Sequence, residues 1–308
     1  MIILVVILHA VLGAIFPIGR VATKVSGPLF FTALRMLMAG VIISGILWWR
    51  NGNPFKRMRG ALWVVISFAL TGIYLTNGLE FWALQYIPAA KTSFLYSLSP
   101  FAAALFSYFY FQETMTWKKW LGMGIGLAGF FIMILHHAPG ESIECSYGAL
   151  SAAEGAIIIA AIASAIGWIV LRRSVRRNDQ LSLLEILGAS MCLGGLFCLI
   201  HSFLVESWQP IPIFDYPSSL GVFLVCLALA LVCSNLIGYP LYTELLKTYT
   251  ATFLSFAGFI EPLCAALYGW VFLGEVVTIY FFAASVLVIV GLCIFYMEEL
   301  RQGYIVKK

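Results

Sequence analysis

Three ionisable residues, Arg35, Glu80 and Glu261, lie inside long apolar stretches of the chain. If these stretches span a membrane, each charge costs roughly 2.5–3.5 kcal/mol to insert, which makes each residue a candidate for function. Glu261 directly precedes Pro262. Its carboxylate can bind a cationic group or take up a proton, or it can be only a helix-kink residue, since Pro262 leaves a carbonyl unpaired one turn back. Arg35 can hold a substrate carboxylate bidentately, or it can pair structurally with a glutamate or with helix carbonyls.

Polar and aromatic residues recur at helical spacing near these charges. Tyr74, Asn77 and Phe81 share one helix face with Glu80 at its edge, and Asn235, Tyr239 and Tyr242 repeat the pattern later in the chain. Such faces bind a solute, or their hydrogen bonds merely join helices. Trp168 can stack on a planar substrate or pack against its neighbours. The predicted binding residues are Tyr74, Asn77, Glu80, Phe81, Tyr96, Trp168, Asn235, Tyr239, Tyr242 and Glu261, with Glu261 also the possible proton site.

Signals for an enzyme or a metalloprotein are missing from the sequence. It contains no GxSxG, HExxH or Walker motif. The seven cysteines are scattered without a CxxC pair, and the four histidines are equally dispersed. We therefore expect no catalytic residue, metal, cofactor or nucleic-acid partner. Without an ATP site, energy must come from a gradient or from the substrate itself.

The composition predicts an all-α membrane protein. Hydrophobic residues make up 62% of the 308 residues and charged residues only 10%, whereas soluble domains carry about 25% charged residues. Apolar stretches of about 20 residues match the thickness of a bilayer. Ten spans are predicted, at residues 2–23, 28–49, 61–84, 89–111, 118–136, 148–172, 181–204, 218–243, 249–273 and 276–297.

The positive charges predict the orientation of these spans. With the N-terminus in the cytoplasm, fourteen Lys and Arg residues fall on the cytoplasmic side and only three, Arg20, Lys24 and Lys91, on the outer side. Both termini are therefore expected in the cytoplasm, in a plasma membrane or the inner membrane of a bacterium. No basic region precedes Ile2, so the first apolar stretch is interpreted as a span and not as a signal peptide. Glu154 is expected at a span end, solvated at the interface.

An internal repeat divides the chain into halves. A shift of 162 residues aligns the segment from Lys91 with the segment from Phe253 without a gap. The identical pairs include Ser93/Ser255, Phe94/Phe256, Pro100/Pro262, Glu113/Glu275 and Thr116/Thr278. The two repeats are placed at residues 1–140 and 141–308. Because five spans separate equivalent positions, the halves must have opposite orientations, as in many secondary transporters.

The two repeated segments, LSPFAAALFSYFYFQE and IEPLCAALYGWVFLGE, resemble the EamA-type family of the drug/metabolite transporter superfamily. FTALR around Arg35 is also similar to the second span of that family. The resemblance implies an inverted five-plus-five bundle around a central cavity lined by the third, fourth, eighth and ninth spans. Gln112-Glu113 departs from the usual Gly-Glu of the family, which the second half retains as Gly274-Glu275.

These observations favour a secondary active transporter that works by alternating access. The mixture of Tyr, Trp, Ser, Asn and Glu in the predicted cavity indicates a small amphipathic metabolite, such as an amino acid or a related organic solute. Efflux is expected over uptake by family analogy alone. The alternative is a non-transporting membrane scaffold or a lipid-handling protein, and flux measurements separate the two. The expected partners are a small-molecule substrate and the lipid bilayer.

Overall fold

The computed structural model describes residues 2–51, 62–111, 114–136, 140–141, 146–147, 150–177, 182–209, 211–249, 254 and 257–301. The expectations for Glu113, Ser255 and Phe256 lie outside these residues. Fourteen α-helices are described: α1 Ile2–Gly13, α2 Ile15–Val25, α3 Pro28–Asn51, α4 Leu62–Phe68, α5 Thr76–Ala83, α6 Ala89–Tyr96, α7 Ser99–Phe111, α8 Trp117–Leu135, α9 Ala152–Arg177, α10 Leu183–Val205, α11 Leu220–Ala230, α12 Tyr239–Thr248, α13 Ile260–Leu273 and α14 Ile279–Arg301. Two π-helical segments, Ala69–Leu75 and Leu231–Gly238, join α4 to α5 and α11 to α12. A short antiparallel hairpin pairs β1 Ser146–Tyr147 with β2 Leu150–Ser151.

The chain is an all-α membrane protein. Eight helical stretches among the described residues are long and apolar enough to cross a bilayer. Large apolar side chains cover their outer faces; Leu204 is 79% exposed and Phe131 is 65% exposed. Such an apolar exterior is stable against lipid and not against water.

Helix irregularities recur at positions 162 residues apart. One π-helical segment begins at Ala69 and the other at Leu231. The predicted span 89–111 is broken between α6 and α7 at Ser97–Leu98, just before Pro100. A turn at Gly258–Phe259 precedes α13 and Pro262 at the corresponding place. Proline cannot continue the hydrogen-bonded ladder of a helix, so each break follows from a residue that the sequence repeats.

Helices α8 and α14 pack closely because glycines line their contact. A Cβ added to Gly122 would lie 2.6 Å from the carbonyl oxygen of Gly291, and one added to Gly129 would lie 2.7 Å from that of Ala284. Position 284 follows Gly122 by 162 residues, and Gly291 follows Gly129 by the same interval. The two close approaches are therefore each other's counterparts under the sequence repeat. Small residues of this kind let membrane helices approach each other closely.

A buried ion cluster ties helix ends together at one end of the bundle. Lys91 at the start of α6 has no exposed surface, and its Nζ lies 2.7 Å from a carboxylate oxygen of Glu141 and 2.7 Å from one of Glu154. At the same end, the backbone N–H of Ala89 donates to Oε1 of Glu275 at 3.1 Å. The expectation of a solvated Glu154 was wrong, because α6 and the 140–141 segment cover its carboxylate against Lys91.

A second carboxylate closes the neighbouring helix ends. Glu206, directly after α10, accepts hydrogen bonds from the backbone N–H groups of Leu29 (2.7 Å) and Phe30 (3.0 Å) at the start of α3. A carboxylate satisfies helix N-terminal donors that would otherwise lack partners. The residues after Glu206 thus fold back over the turn between α2 and α3, where Ser26 pairs with Ile213.

Candidate functional site

Arg35 is the most deeply buried charge in the middle of the bundle. Its side chain has no exposed surface, and one terminal nitrogen, Nη2, donates to Oδ1 of Asn77 at 2.7 Å. The guanidinium carbon lies 4.6 Å from the centre of the Phe81 ring, and Phe81 in turn stacks on Phe31. Among the described residues, Nε and Nη1 have no hydrogen-bond partner. From the sequence, one structural possibility was that Arg35 pairs with a glutamate or with helix carbonyls. Its described contacts are instead with Asn77 and the Phe81 ring.

Asn77 links α5 to α12 at this point. Its Nδ2 donates to the carbonyl oxygen of Ile73 at 2.9 Å and lies 3.5 Å from the hydroxyl oxygen of Tyr239. Asn77 and Tyr239 are 162 residues apart, so they occupy equivalent positions of the repeat. Each follows a π-helical segment, whose wider turn re-aims the side chains beyond it.

An aromatic cluster adjoins Tyr239 and is formed by Phe68, Trp168, Tyr239 and Tyr242. The Trp168 ring centre lies 4.5 Å from that of Tyr242, 5.1 Å from that of Phe68 and 6.0 Å from that of Tyr239. Trp168, Tyr239 and Tyr242 are only partly buried. The cluster is therefore a packing unit in which the rings of Trp168, Tyr239 and Tyr242 keep part of their surface exposed.

Two further predicted residues, Glu80 and Tyr96, lie within electrostatic range of this group. Glu80 is 5% exposed and interacts with Arg35 and Glu261, and Tyr96 interacts with Glu80, Tyr239 and Glu261. Tyr96 also donates its hydroxyl to Oγ of Ser164 at 2.8 Å. The interior thus combines one guanidinium, two carboxylates and several phenol groups.

Glu261 pairs with a histidine that the sequence did not single out. Nδ1 of His9 lies 2.7 Å from Oε1 of Glu261, with 1% of the histidine side chain and 15% of the glutamate side chain exposed. The close approach of α1 to α13 depends on Gly13, because a Cβ there would lie 2.7 Å from the carbonyl oxygen of Glu261. Glu261 was expected midway along a continuous span, but it lies in the first turn of α13.

Two predicted residues, Tyr74 and Asn235, point to other partners. The Tyr74 hydroxyl lies 3.0 Å from Nδ1 of His201, and its ring contacts Phe197 and His201 on α10. Nδ2 of Asn235 lies 3.1 Å from the sulfur of Met36, and its side chain is fully buried. The structure therefore places Asn77 and Phe81 in contact with Arg35, and Glu80 and Tyr239 within its electrostatic range. Trp168 and Tyr242 join this group through Tyr239 and through each other, and Tyr96 and Glu261 join it through Glu80. The described contacts of Tyr74 are on α10, and that of Asn235 is with Met36, the residue next to Arg35.

Sequence reasoning did not commit to Arg35 and missed His9 and Ser164 as neighbours of the site. The signal for Arg35 was present, since an arginine inside a membrane span has a strong prior for function. The signal for His9 was weak, because the pair spans 252 residues of sequence. Over the described part of the chain, no group of three or more His, Cys, Asp or Glu side chains is arranged to hold a metal ion.

Comparison with known proteins identifies the family. The sequence model of the EamA-like transporter family matches residues 1–135 and 152–297. The S-adenosylmethionine/S-adenosylhomocysteine transporter of Chlamydia muridarum is 35% identical over 290 residues, which cover 94% of this chain and 89% of that protein. The protein of the same name from Chlamydia trachomatis serovar L2 is also 35% identical, with 94% and 87% covered.

More distant comparisons agree at the level of the fold. An uncharacterised transporter of Bacillus subtilis is 24% identical, with 92% of this chain and 87% of that protein covered. One solved crystal structure has a TM-score of 0.66 at 18% identity and covers 95% of this chain and 96% of its own. Relatives of this kind are transporters and not enzymes. The chain belongs to the EamA-like transporter family.

Proposed function

We propose that the protein is a secondary carrier for S-adenosylmethionine and S-adenosylhomocysteine, working by alternating access. The observation that carries the substrate class is the 35% identity over 94% of the chain to transporters of that name. These solutes are amino acids joined through sulfur to adenosine, so they refine the expectation of an amphipathic amino-acid-like substrate.

The chemistry of the site supports this substrate class. The aromatic cluster offers ring faces on which an adenine can stack or against which a sulfonium cation is attracted, as cations are to the faces of Trp and Tyr. The side-chain oxygens of Glu80 and Glu261 can accept hydrogen bonds from an α-ammonium group. Asn77 and Tyr239 add neutral hydrogen-bonding groups between the charged and aromatic parts.

We propose that the chain forms an inverted repeat of ten spans, which would alternate access to this site. We place the repeats at residues 1–140 and 141–308, with both termini in the cytoplasm and the chain in a plasma membrane or bacterial inner membrane. The π-helical segments, the helix breaks and the α8–α14 glycine contacts recur with a separation of 162 residues. Rocking of two such halves exposes one central site to each side in turn.

The direction of net transport follows from the gradients of the two solutes, since a carrier without an energy source of its own runs both ways. The expectation of efflux rests on the family analogy alone. Exchange of S-adenosylmethionine for S-adenosylhomocysteine can therefore be driven by the gradients of the two solutes alone.

A binding panel on purified protein tests the substrate class. We expect S-adenosylmethionine and S-adenosylhomocysteine to raise the melting temperature at concentrations where methionine and adenosine, offered alone, do not. The reason is that each fragment fills only one part of the site, whereas the joined solute gains both sets of contacts. Equal stabilisation by methionine alone would assign the protein to ordinary amino acids, and no stabilisation by either adenosyl compound would contradict the proposal.

A further inference from the structure

Arg35 is a buried arginine whose hydrogen-bonding capacity is mostly unused. Of its three guanidinium nitrogens, only Nη2 has a described partner, the amide oxygen of Asn77 at 2.7 Å. Nε and Nη1 are buried without a hydrogen-bond partner among the described residues. Buried polar groups in proteins are nearly always paired, so an unpaired guanidinium edge requires an explanation.

The surroundings of Arg35 hold its guanidinium in a fixed orientation. Asn77 binds one side of the group, and the Phe81 ring covers a face at 4.6 Å. Asn77 is itself fixed by the carbonyl oxygen of Ile73. Glu80 on α5, Tyr239 on α12 and Cys198 on α10 are the titratable groups within electrostatic range. The Arg35–Glu80 interaction is electrostatic, and within the described residues it does not reach ion-pair distance.

The unused edge has the geometry that a carboxylate requires. Arginine presents two parallel N–H groups from Nε and Nη2 or from Nη1 and Nη2, and each pair matches the two oxygens of a carboxylate. Nη2 donates one of its two hydrogens to Asn77 and keeps the other for such a pair. The position 162 residues after Arg35 is Phe197, so the charge is not duplicated by the repeat. A single cation beside the aromatic cluster suits a solute with one anionic end.

We propose that Arg35 is the receptor for the α-carboxylate of the transported solute, bound through the second hydrogen of Nη2 together with an unpaired neighbouring nitrogen, with Asn77 as its positioning residue. This inference rests on the proposed substrate class. The α-ammonium group of the same solute then faces Glu80, and the adenosyl part extends towards Trp168 and Tyr242.

The test compares S-adenosylmethionine with its decarboxylated analogue, which keeps the sulfonium and the adenosine. Purified wild-type protein is expected to bind S-adenosylmethionine at least about tenfold more tightly, since removing one partner of a buried charge pair costs 2 kcal/mol or more. The Arg35→Gln variant is expected to bind the two compounds equally and to keep the wild-type affinity for the analogue to within a few-fold.

Arg20 provides the matched control. It is a partly buried arginine on α2 whose Nη2 donates to the carbonyl oxygen of Gly140 at 3.2 Å, outside the site. Arg20→Gln is expected to leave the preference for S-adenosylmethionine unchanged. If Arg35→Gln does not fold, Arg35→Lys decides, because lysine keeps the charge but lacks the two-pronged geometry. Its preference should fall by tenfold or more.

Three results would overturn the inference. One is a wild-type preference for S-adenosylmethionine retained in Arg35→Gln or in Arg35→Lys. Another is an equal loss of affinity for both compounds in Arg35→Gln, which would make Arg35 structural. Failure of the wild-type protein to bind S-adenosylmethionine would instead remove the proposed function, and the inference with it, so the two failures are distinguishable.

Discussion

At the residue scale, the His9–Glu261 pair places a proton-accepting group beside a helix break. Its 2.7 Å distance joins α1 to the first turn of α13, and the neighbouring Cys264 and Tyr96 interact with the same carboxylate. An imidazole hydrogen-bonded to a carboxylate offers two neighbouring groups that can hold a proton. The pair can therefore link protonation to movement of the broken span, and this role stays a prediction.

Replacing Glu261 by Gln tests that role. The change keeps the size of the side chain and removes both the charge and the proton site. We expect normal membrane insertion, because the size of the side chain is unchanged. A hydrogen bond to a charged group contributes about 1.5–3 kcal/mol, so its loss should lower transport about tenfold or more, or make transport independent of pH. Transport by reconstituted protein is measured between about pH 5.5 and 8, the range over which histidine titrates.

Glu244→Gln is the control for this measurement, since Glu244 is an exposed carboxylate on α12. Its pH profile should match that of the wild-type protein. A wild-type profile in Glu261→Gln as well would leave Glu261 as a helix-kink residue only.

How far single residues could be predicted from the sequence depends on where their partners lie. Asn77, Glu80 and Phe81 were found because helical spacing places them on one face, and a bilayer excludes such a face. His9 was missed, since its partner is 252 residues away and only α1–α13 packing brings them together. Tyr74 shares the spacing of Asn77, but the π-helical segment that contains it changes the helical register and turns the ring towards His201.

At the element scale, a helix kink at Pro262 was considered from the sequence, whereas the break before Pro100 and the buried end of the bundle were not. A proline inside a predicted span indicates a break from sequence alone. The Lys91 cluster draws its members from α6, from the 140–141 segment and from α9. No local pattern in the sequence links three such elements, so Lys91 and Glu154 were interpreted as ordinary residues at span ends.

The cluster predicts a large loss of stability when its cation is removed. Lys91→Met leaves the buried carboxylate of Glu154 without this counter-charge and removes the same ion pair from Glu141. Breaking a buried ion pair in this way costs about 3–5 kcal/mol, so we expect the melting temperature of the purified protein to fall by several degrees. The additional change Glu154→Gln should restore part of the loss, because it removes a buried charge that has lost its counter-charge.

Lys118→Met is the matched control. That lysine is 56% exposed and lies 3.9 Å from Glu298, a pair of the surface type, which contributes at most about 1 kcal/mol. Equal melting temperatures for Lys91→Met and Lys118→Met would show that the cluster does not stabilise the fold.

At the scale of the whole molecule, the family and the all-α membrane class could be predicted, because composition, apolar spans and the duplicated segments are properties of the entire chain. The substrate class could not. Polar and aromatic residues fit many amphipathic solutes. The proposal of an adenosyl solute rests on the similarity to the 35% identical transporters. Sequence patterns identify the side chains that a ligand could contact, whereas the distances between these side chains depend on how the helices pack.

Flux into proteoliposomes tests the central claim most directly. Vesicles containing the purified protein are loaded with unlabelled S-adenosylhomocysteine and diluted into radiolabelled S-adenosylmethionine, and the label retained on filters is measured over time. The account predicts uptake well above that of protein-free vesicles, faster from loaded than from empty vesicles, and blocked by excess unlabelled S-adenosylmethionine outside. Uptake no greater than in protein-free vesicles, with protein shown to be folded and inserted, would contradict it.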